Sequence, residues 1–536
     1  MQVTGRRTFL KQTAWGAASV RTAVGFPFMA AARGATSGAA PVAETNSGKV
    51  RGETLDGIHC FRGIPYGGDT SGKNRFMPPT KPAAWKGVRD AVQWGHVAPQ
   101  QLSGGRIDYV RLIEWLNLPG GQSEDCLVAN VWTPGVRDGG KRPVLVSFHG
   151  GGFVTGTSGN PGYNGHPLAK FGNVVVVTVN HRLGCLGYLH LGDLAPEFSK
   201  SGVAGMLDCV AALEWVRDNI ENFGGDSANV MIFGQSGGGA KVSNLLAMPS
   251  AKGLFHRAAI QSGSALRAAT RETATKTAER MLAQIGLDKS RIRELQSVPF
   301  EMMISAQALL LAQNPPAAFG PVVDGEVLPR HPFDPVAPDI SADVPIIVST
   351  TLDDAALART DFSLDEAGLK AHIKELAGSD ADRVYNAYRR VDPHVTPFLL
   401  HCRLLTDRTQ RRNAMTLSER KAAQGKAPAY MYLWEWPSPG YGGKFGAVHG
   451  TDVPMVFHNV AGQAITGSGA ESRAIAGKIA AAWVAFAKTG TPNNKSLPDW
   501  PAYTPDKRPT MLFNNTCRVE NNPRGELIAL WARTSA

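Results

Sequence analysis

The chain has no Cys-x-x-Cys pair: Cys60, Cys126, Cys185, Cys209, Cys402 and Cys517 each stand alone. That removes the spacing used by zinc ribbons and thioredoxin-type redox sites. The interior lacks a Ser/Gly tract, a block of like charge and a fixed-period repeat, so neither a flexible linker nor a solenoid is indicated. No run of Lys and Arg is interleaved with aromatic residues, so the net charge of +11 does not mark a nucleic-acid-binding face. Residues 1–40 hold Arg6, Arg7, Lys11, Arg21 and Arg33 and no acid, which leaves 51 basic against 45 acidic side chains, a mild excess, in the rest. Beyond that N-terminal stretch no apolar run reaches the ~18 residues that cross a bilayer, so no membrane span is expected.

What is present is 536 residues, 43% apolar and 19% charged, the balance of a globular protein long enough to bury a large core without staples. Its single cysteines are expected to pack as small apolar residues. The start reads Gly5-Arg6-Arg7-Thr8-Phe9-Leu10-Lys11 and runs into an Ala/Gly-rich stretch up to about Ala40. Twin arginines before Phe-Leu-Lys resemble a bacterial Tat export signal, an address read by a receptor rather than an anchor. Small residues at Ala30-Ala31-Ala32 or Gly38-Ala39-Ala40 offer cleavage points, although Arg21 is a charge within the apolar part. The expected organisation is a signal over 1–40 and one domain over 41–536, exported to the periplasm or medium. The alternative is a cytoplasmic protein with a basic tail.

From about Glu44 the pattern turns to short strands. Val144 to Phe148, Val174 to Val179, Val230 to Phe233 and Val344 to Val348 are almost continuously apolar, the last broken by Pro345. Such runs fit strands buried on both faces of a parallel sheet. Val210 to Ile220 puts Val210, Leu213, Trp215, Val216 and Ile220 mostly along one face at helical spacing. Alternating strands and helices imply a doubly wound α/β architecture. Residues 270–315 carry only helical patterns, such as Met302 to Leu311, and are expected to form an insertion over the sheet's C-terminal edge, where such folds place ligands.

Gly234-Gln235-Ser236-Gly237-Gly238 matches G-x-S-x-G. Taken alone it also fits a Gly-rich connection with a packing role. Its context is a buried strand directly before it and a potential helix, Gly239 to Leu246, directly after. A strand-to-helix turn with small flanking residues is what a strained, exposed nucleophile needs. His149-Gly150-Gly151-Gly152 follows an earlier buried strand and has the form of an oxyanion loop, whose N–H groups pair with that of the residue after the nucleophile, here Gly237. A serine hydroxyl needs a base, and the base an orienting acid. For a serine on a strand-to-helix turn of this kind, the order along the chain is serine, acid, then the histidine base. His256, His331, His372, His394, His401, His449 and His458 all lie downstream, and pattern alone does not choose among them. His449, in Gly446-Ala447-Val448-His449-Gly450, has the most loop-like surroundings.

Over about residues 44–515 the chain resembles the type-B carboxylesterase/cholinesterase family. The resemblance rests on Phe61-Arg62-Gly63-Ile64-Pro65-Tyr66, Ser123-Glu124-Asp125-Cys126-Leu127, the HGGGF loop, Asn180-His181-Arg182-Leu183-Gly184, Phe223-Gly224-Gly225-Asp226 and the run Trp483 to Gly490. It implies an α/β-hydrolase fold, with a large, mostly parallel central sheet, helices on both faces and helical insertions over the active-site edge. It also implies a serine esterase with a triad of Ser236, Asp354 and His449. The acid falls in Ser349-Thr350-Thr351-Leu352-Asp353-Asp354-Ala355, with aspartate where most relatives have glutamate. The implied oxyanion donors are the N–H groups of Gly151, Gly152 and Gly237, with Ser262 beside the triad. Ion pairs Arg75–Glu124 and Arg182–Asp208 are implied as well.

Two positions depart from the pattern. Gln235 stands where relatives usually have glutamate. The family's early disulfide is expected to be missing, because Ala98 stands where the partner of Cys126 would be. A small-molecule ester is the expected substrate, and no cofactor, metal or nucleic acid is implied. The same triad could instead serve an amidase or carbamate hydrolase, and the same fold could carry a non-catalytic binding protein.

The twin arginines generate a prediction. In the native host the mature chain should start between about Arg33 and Glu44, outside the cytoplasm, and replacing Arg6 and Arg7 with lysine should trap it inside. N-terminal sequencing and fractionation check this; an intact cytosolic start at Met1 or Gln2 overturns it.

Overall fold

The apolar runs lie in the middle of a sheet covered on both faces. The computed structural model describes residues 39–101, 107–114 and 118–533. The twin-arginine segment, Arg6 and Arg7 included, lies outside the described residues. In chain order the strands are β1 (Val42–Thr45), β2 (Gly48–Arg51), β3 (Glu53–Leu55), β4 (Ile58–Pro65), β5 (Val88–Asp90), β6 (Val128–Thr133), β7 (Arg142–Phe148), β8 (Val175–Val179), β9 (Gly225–Gln235), β10 (Arg257–Gln261), β11 (Ile346–Thr351), β12 (Ala429–Trp434), β13 (Pro509–Phe513) and β14 (Arg518–Asn521). Strands β1, β2 and β5 make a small sheet. The other eleven form one sheet in the order β14-β13-β12-β11-β10-β9-β7-β8-β6-β4-β3.

From β13 through to β8 every pairing is parallel. The edges, β13–β14 and β8–β6–β4–β3, are antiparallel. Side chains alternate across a strand, so each central strand feeds two cores. Val144, Val146 and Phe148 of β7, with Val230 and Ile232 of β9, enter one core beside Cys209, Leu213 and Val216 of the Ala204–Asn219 helix. Leu145, Met231 and Phe233 enter the other, beside Ile475, Ile479 and Trp483 of the Ala470–Thr489 helix. A strand with no polar face is stable only between two such layers.

Boundaries moved where backbone chemistry required it. The run expected from Val344 begins as a strand only at Ile346, because Pro345 has no N–H to give to a ladder. The helix expected from Val210 starts earlier, at Ala204. Residues 270–315 are helical as expected, with helices Arg271–Ile285 and Phe300–Leu311. They share a separate apolar cluster with Cys185, Leu186 and Leu189, just after β8. All six cysteines are buried free thiols, with Cys126 in the same apolar cluster as Ala98.

Two buried ion pairs tie loops to this frame. Arg182, after β8, binds Asp208 with Nε at 2.8 Å and Nη2 at 2.7 Å, and its other nitrogen donates to the Met77 carbonyl at 2.7 Å. Arg75 grips Glu124 through Nε at 2.7 Å and Nη2 at 2.5 Å, and donates to the Leu295 carbonyl at 2.7 Å. That last bond fastens the helical insertion to the segment between β4 and β5.

Removing one partner strands the other charge in the core. Asp208→Asn should therefore destabilise the protein by about 3–5 kcal/mol, read by chemical denaturation. A loss below about 1 kcal/mol, the worth of an exposed pair, would contradict the burial argument.

Candidate active site

β9 ends at Gln235 and the Gly237–Leu245 helix begins two residues on. Ser236 makes the turn between them with φ 59° and ψ −124°. For a residue with a side chain that backbone costs on the order of 1–3 kcal/mol, so the surroundings must enforce it. The Ser236 N–H donates to the Gln261 carbonyl at 2.7 Å. A Cβ on Gly237 would lie 2.0 Å from the Gly152 oxygen, and one on Gly238 would lie 2.0 Å from the Phe148 oxygen. Glycine at these positions lets three backbone segments close around the turn. The hydroxyl sits at the helix N-terminus, where partial positive charge favours an anion.

The loop after β7 faces that turn. Gly151 and Gly152 have φ of 88° and 65°, conformations open to glycine. Each carbonyl from His149 to Gly152 is held. Lys241 Nζ donates to the His149 oxygen at 3.1 Å and the Gly152 oxygen at 2.9 Å. His149 Nδ1 bonds the Gly150 oxygen at 2.9 Å, and Thr155 N–H reaches the Gly151 oxygen at 3.1 Å. Burial and the neighbouring Lys241 charge drive the His149 pKa down to about 3, so its ring is neutral.

Asp354, fully buried just past β11, meets His449 Nδ1 through Oδ1. Its Oδ2 accepts from Ser262 Oγ at 2.6 Å and from the Thr351 N–H at 3.2 Å. The adjacent Asp353 turns away: Arg403 Nε donates to its Oδ1 at 2.8 Å and the Ala447 N–H to its Oδ2 at 2.8 Å. Asp353 therefore joins the acid loop to the histidine loop. Gly446 is part of that joint, since a Cβ there would stand 2.3 Å from Asp353 Oδ2. On the far side, Tyr109 OH donates to the His449 carbonyl at 2.9 Å.

The Gln235 side chain lies between the Gly150 and Gly450 backbones, and its Nε2 has no hydrogen-bond partner among the described residues. It lines a narrow pocket with Tyr109, Ile113, Tyr163, Val453 and Gln463. Behind the histidine loop, buried Asp452 takes bonds from Gln261 Nε2 at 2.9 Å and Tyr432 OH at 2.6 Å, and burial pushes its pKa up.

Ser236, Gly151, Gly152 and Gly237 thus gather at one end of the sheet, and Ser262, Asp354 and His449 form one hydrogen-bonded chain. Sequence reasoning did not single out Lys241 or the bracing role of Asp353. A signal for Lys241 was available: it is a lysine in a largely apolar stretch, Ser227 to Arg271, that contains no acid.

The carboxylesterase family model matches residues 39–531. The para-nitrobenzyl esterase of Bacillus subtilis (strain 168) is 35% identical over 497 residues, covering 90% of this chain and 97% of that protein. The phenmedipham hydrolase of Pseudarthrobacter oxydans is 32% identical over 486 residues, 87% of this chain and 93% of that one. Among solved structures, a Geobacillus stearothermophilus carboxylesterase superposes with a TM-score of 0.79 at 38% identity, covering 91% of this chain and 99% of the other. With that match along nearly the whole described chain, the protein belongs to the carboxylesterase family and is a carboxylic ester hydrolase of the α/β-hydrolase fold.

Proposed function

We propose that the protein hydrolyses small carboxylic esters through an acyl-enzyme on Ser236. The observation that carries this is the Ser262–Asp354–His449 hydrogen-bonded chain at the sheet end that holds Ser236 on its strained turn. His449 takes the Ser236 proton as the oxygen attacks the ester carbonyl, and gives it to the departing alcohol. Asp354 holds the imidazole by Nδ1 and stabilises its cation. The N–H groups of Gly151, Gly152 and Gly237 receive the negative oxygen. Water, deprotonated by His449, then attacks the acyl group and releases the acid and the free serine. The Tat-like N-terminus supports an exported enzyme.

Ser236→Ala and His449→Ala should each lower kcat by several orders of magnitude while the protein stays folded. Asp354→Asn should cost up to about 10⁴-fold in kcat. Asp353→Asn, which touches no reacting group, should act mainly on stability, by about 1–3 kcal/mol. Rates on matched p-nitrophenyl esters, anilides and carbamates check this and decide between ester and amide or carbamate turnover. Wild-type-like kcat in folded Ser236→Ala, or a larger kcat loss for Asp353→Asn than for Asp354→Asn, would overturn the assignment.

Gln235 adds a substrate expectation. An uncharged amide beside the reacting centre neither attracts a cation nor favours the imidazolium, as a carboxylate would. Wild type should show little preference for choline butyrate over a neutral butyrate of equal size. Gln235→Glu should raise that preference and move the acidic limb of the pH–rate profile up by about one unit, because the base acts only when neutral. An acidic limb that stays in place counts against a direct electrostatic role.

A further inference from the structure

Lys241 is fully buried, and among the described residues no carboxylate pairs with it. A buried cation without a counter-ion is costly. Its two hydrogen bonds go to the first and last carbonyls of the His149–Gly152 loop, at 3.1 and 2.9 Å. Its Nζ also lies 5.3 Å from the centre of the Phe153 ring, the residue that ends the loop. Lys241 stands four residues after Gly237 on the same helix, hence on the same helical face.

Three consecutive glycines have no side chains to hold their backbone and lose the most freedom on ordering. In a trans peptide the N–H points opposite to the preceding carbonyl, so pinning a carbonyl aims the next N–H. The Gly150 oxygen is pinned by His149 Nδ1 and the Gly151 oxygen by Thr155, which aims the N–H groups of Gly151 and Gly152. Lys241 brackets both ends of that unit and ties it to the helix whose first residue supplies the third N–H.

We propose that Lys241 is a positioning residue that joins the glycine loop to the Gly237–Leu245 helix, so that three oxyanion donors on two separate segments act as one rigid unit. This rests on the Ser236 acyl-transfer reading. Its positive charge has a second effect, since within a water-poor site it favours the negative oxygen that those donors receive.

The charge is also titratable in the working range. Burial lowers the Lys241 pKa from its ordinary 10.5 to about 8. The titratable groups facing it are His149 after β7, His181 after β8 and Cys209 on the Ala204–Asn219 helix. All three stay uncharged there: burial drives both imidazoles down, His149 to about 3, and drives the Cys209 thiol up. Lys241 is therefore the member of this group that changes charge near pH 8. The unfolded chain holds its lysine proton up to the ordinary value, so this residue's contribution to stability rises from pH about 8 to 10.5. A fall in kcat across that window is thus not unfolding caused by this residue.

The test uses the full chain with Lys241→Met, which keeps bulk but removes both bonds and the charge. Lys241→Gln keeps the donors without the charge. Active serines are counted by organophosphate titration. Then kcat and KM for p-nitrophenyl butyrate are measured from pH 6 to 9.5. Affinity is measured for a trifluoromethyl ketone, which forms a tetrahedral oxyanion on the serine. Lys241→Met should lower kcat per titrated serine by roughly 10²-fold with KM little changed, and should weaken the ketone in parallel. Lys241→Gln should recover at least about tenfold of that loss; wild type should show an alkaline limb near pH 8, where burial places the Lys241 pKa, and Lys241→Gln should lack it.

A Met variant whose kcat stays within roughly threefold of wild type overturns the proposal, as does a kcat loss with unchanged ketone affinity. A Gln variant that keeps the alkaline limb does so too. If Lys241→Met does not fold, the Gln variant and the wild-type pH profile decide. Full activity in Ser236→Ala would sink the underlying mechanism. An inactive Ser236→Ala beside wild-type-like Lys241 variants would sink the positioning role alone.

Discussion

The site depends on backbone approaching backbone around Ser236. The turn from β9 into its helix, the loop after β7 and the segment after β10 meet so closely that a Cβ on Gly237, Gly238 or Gly263 would lie 2.0 to 2.2 Å from a backbone oxygen. Contacts of that kind cannot be repacked by choosing another rotamer. They require glycine, and they hold Ser236 in a conformation that it would not keep alone. The parallel core of the sheet makes this possible, because β7, β9 and β10 run side by side in the same direction and deliver three loops to one edge.

Around this dense centre, buried polar groups do what apolar packing cannot. A carboxylate in the core is costly unless its lone pairs are met. Asp354 meets that requirement with His449, Ser262 and the Thr351 N–H, and Asp353 with Arg403 and the Ala447 N–H. Two adjacent aspartates therefore divide the work: one faces the histidine and the other binds the histidine's loop to the strand end. Arg182–Asp208 and Arg75–Glu124 act farther out, holding loops and the helical insertion on the frame.

Much of this was legible in the chain itself, because it is written locally. The continuous apolar runs of β7, β8 and β9 state that both faces are buried. Glycines around Ser236 and after His149 state that backbone must come close, and the strand before each states where. Edges were less legible. Proline moved the start of β11, and the helix after β8 began earlier than its apolar stripe, because the ends of elements are decided by backbone bonds and not by periodicity.

Residue pattern alone identified Ser236 and the two glycine motifs, since each is a short run whose neighbours already specify its backbone. It did not choose among seven histidines or between Asp353 and Asp354. There the family register was needed, and the fold shows why. Asp354 and His449 are 95 residues apart, and their meeting depends on the bridge between Asp353 and Val448, which joins the loops that follow β11 and β12. Lys241 was not identified from the sequence at all. As a letter in the chain it is a common surface residue, and only the tertiary structure encloses it and turns its ammonium onto two carbonyls of a loop that lies 89 and 92 residues away.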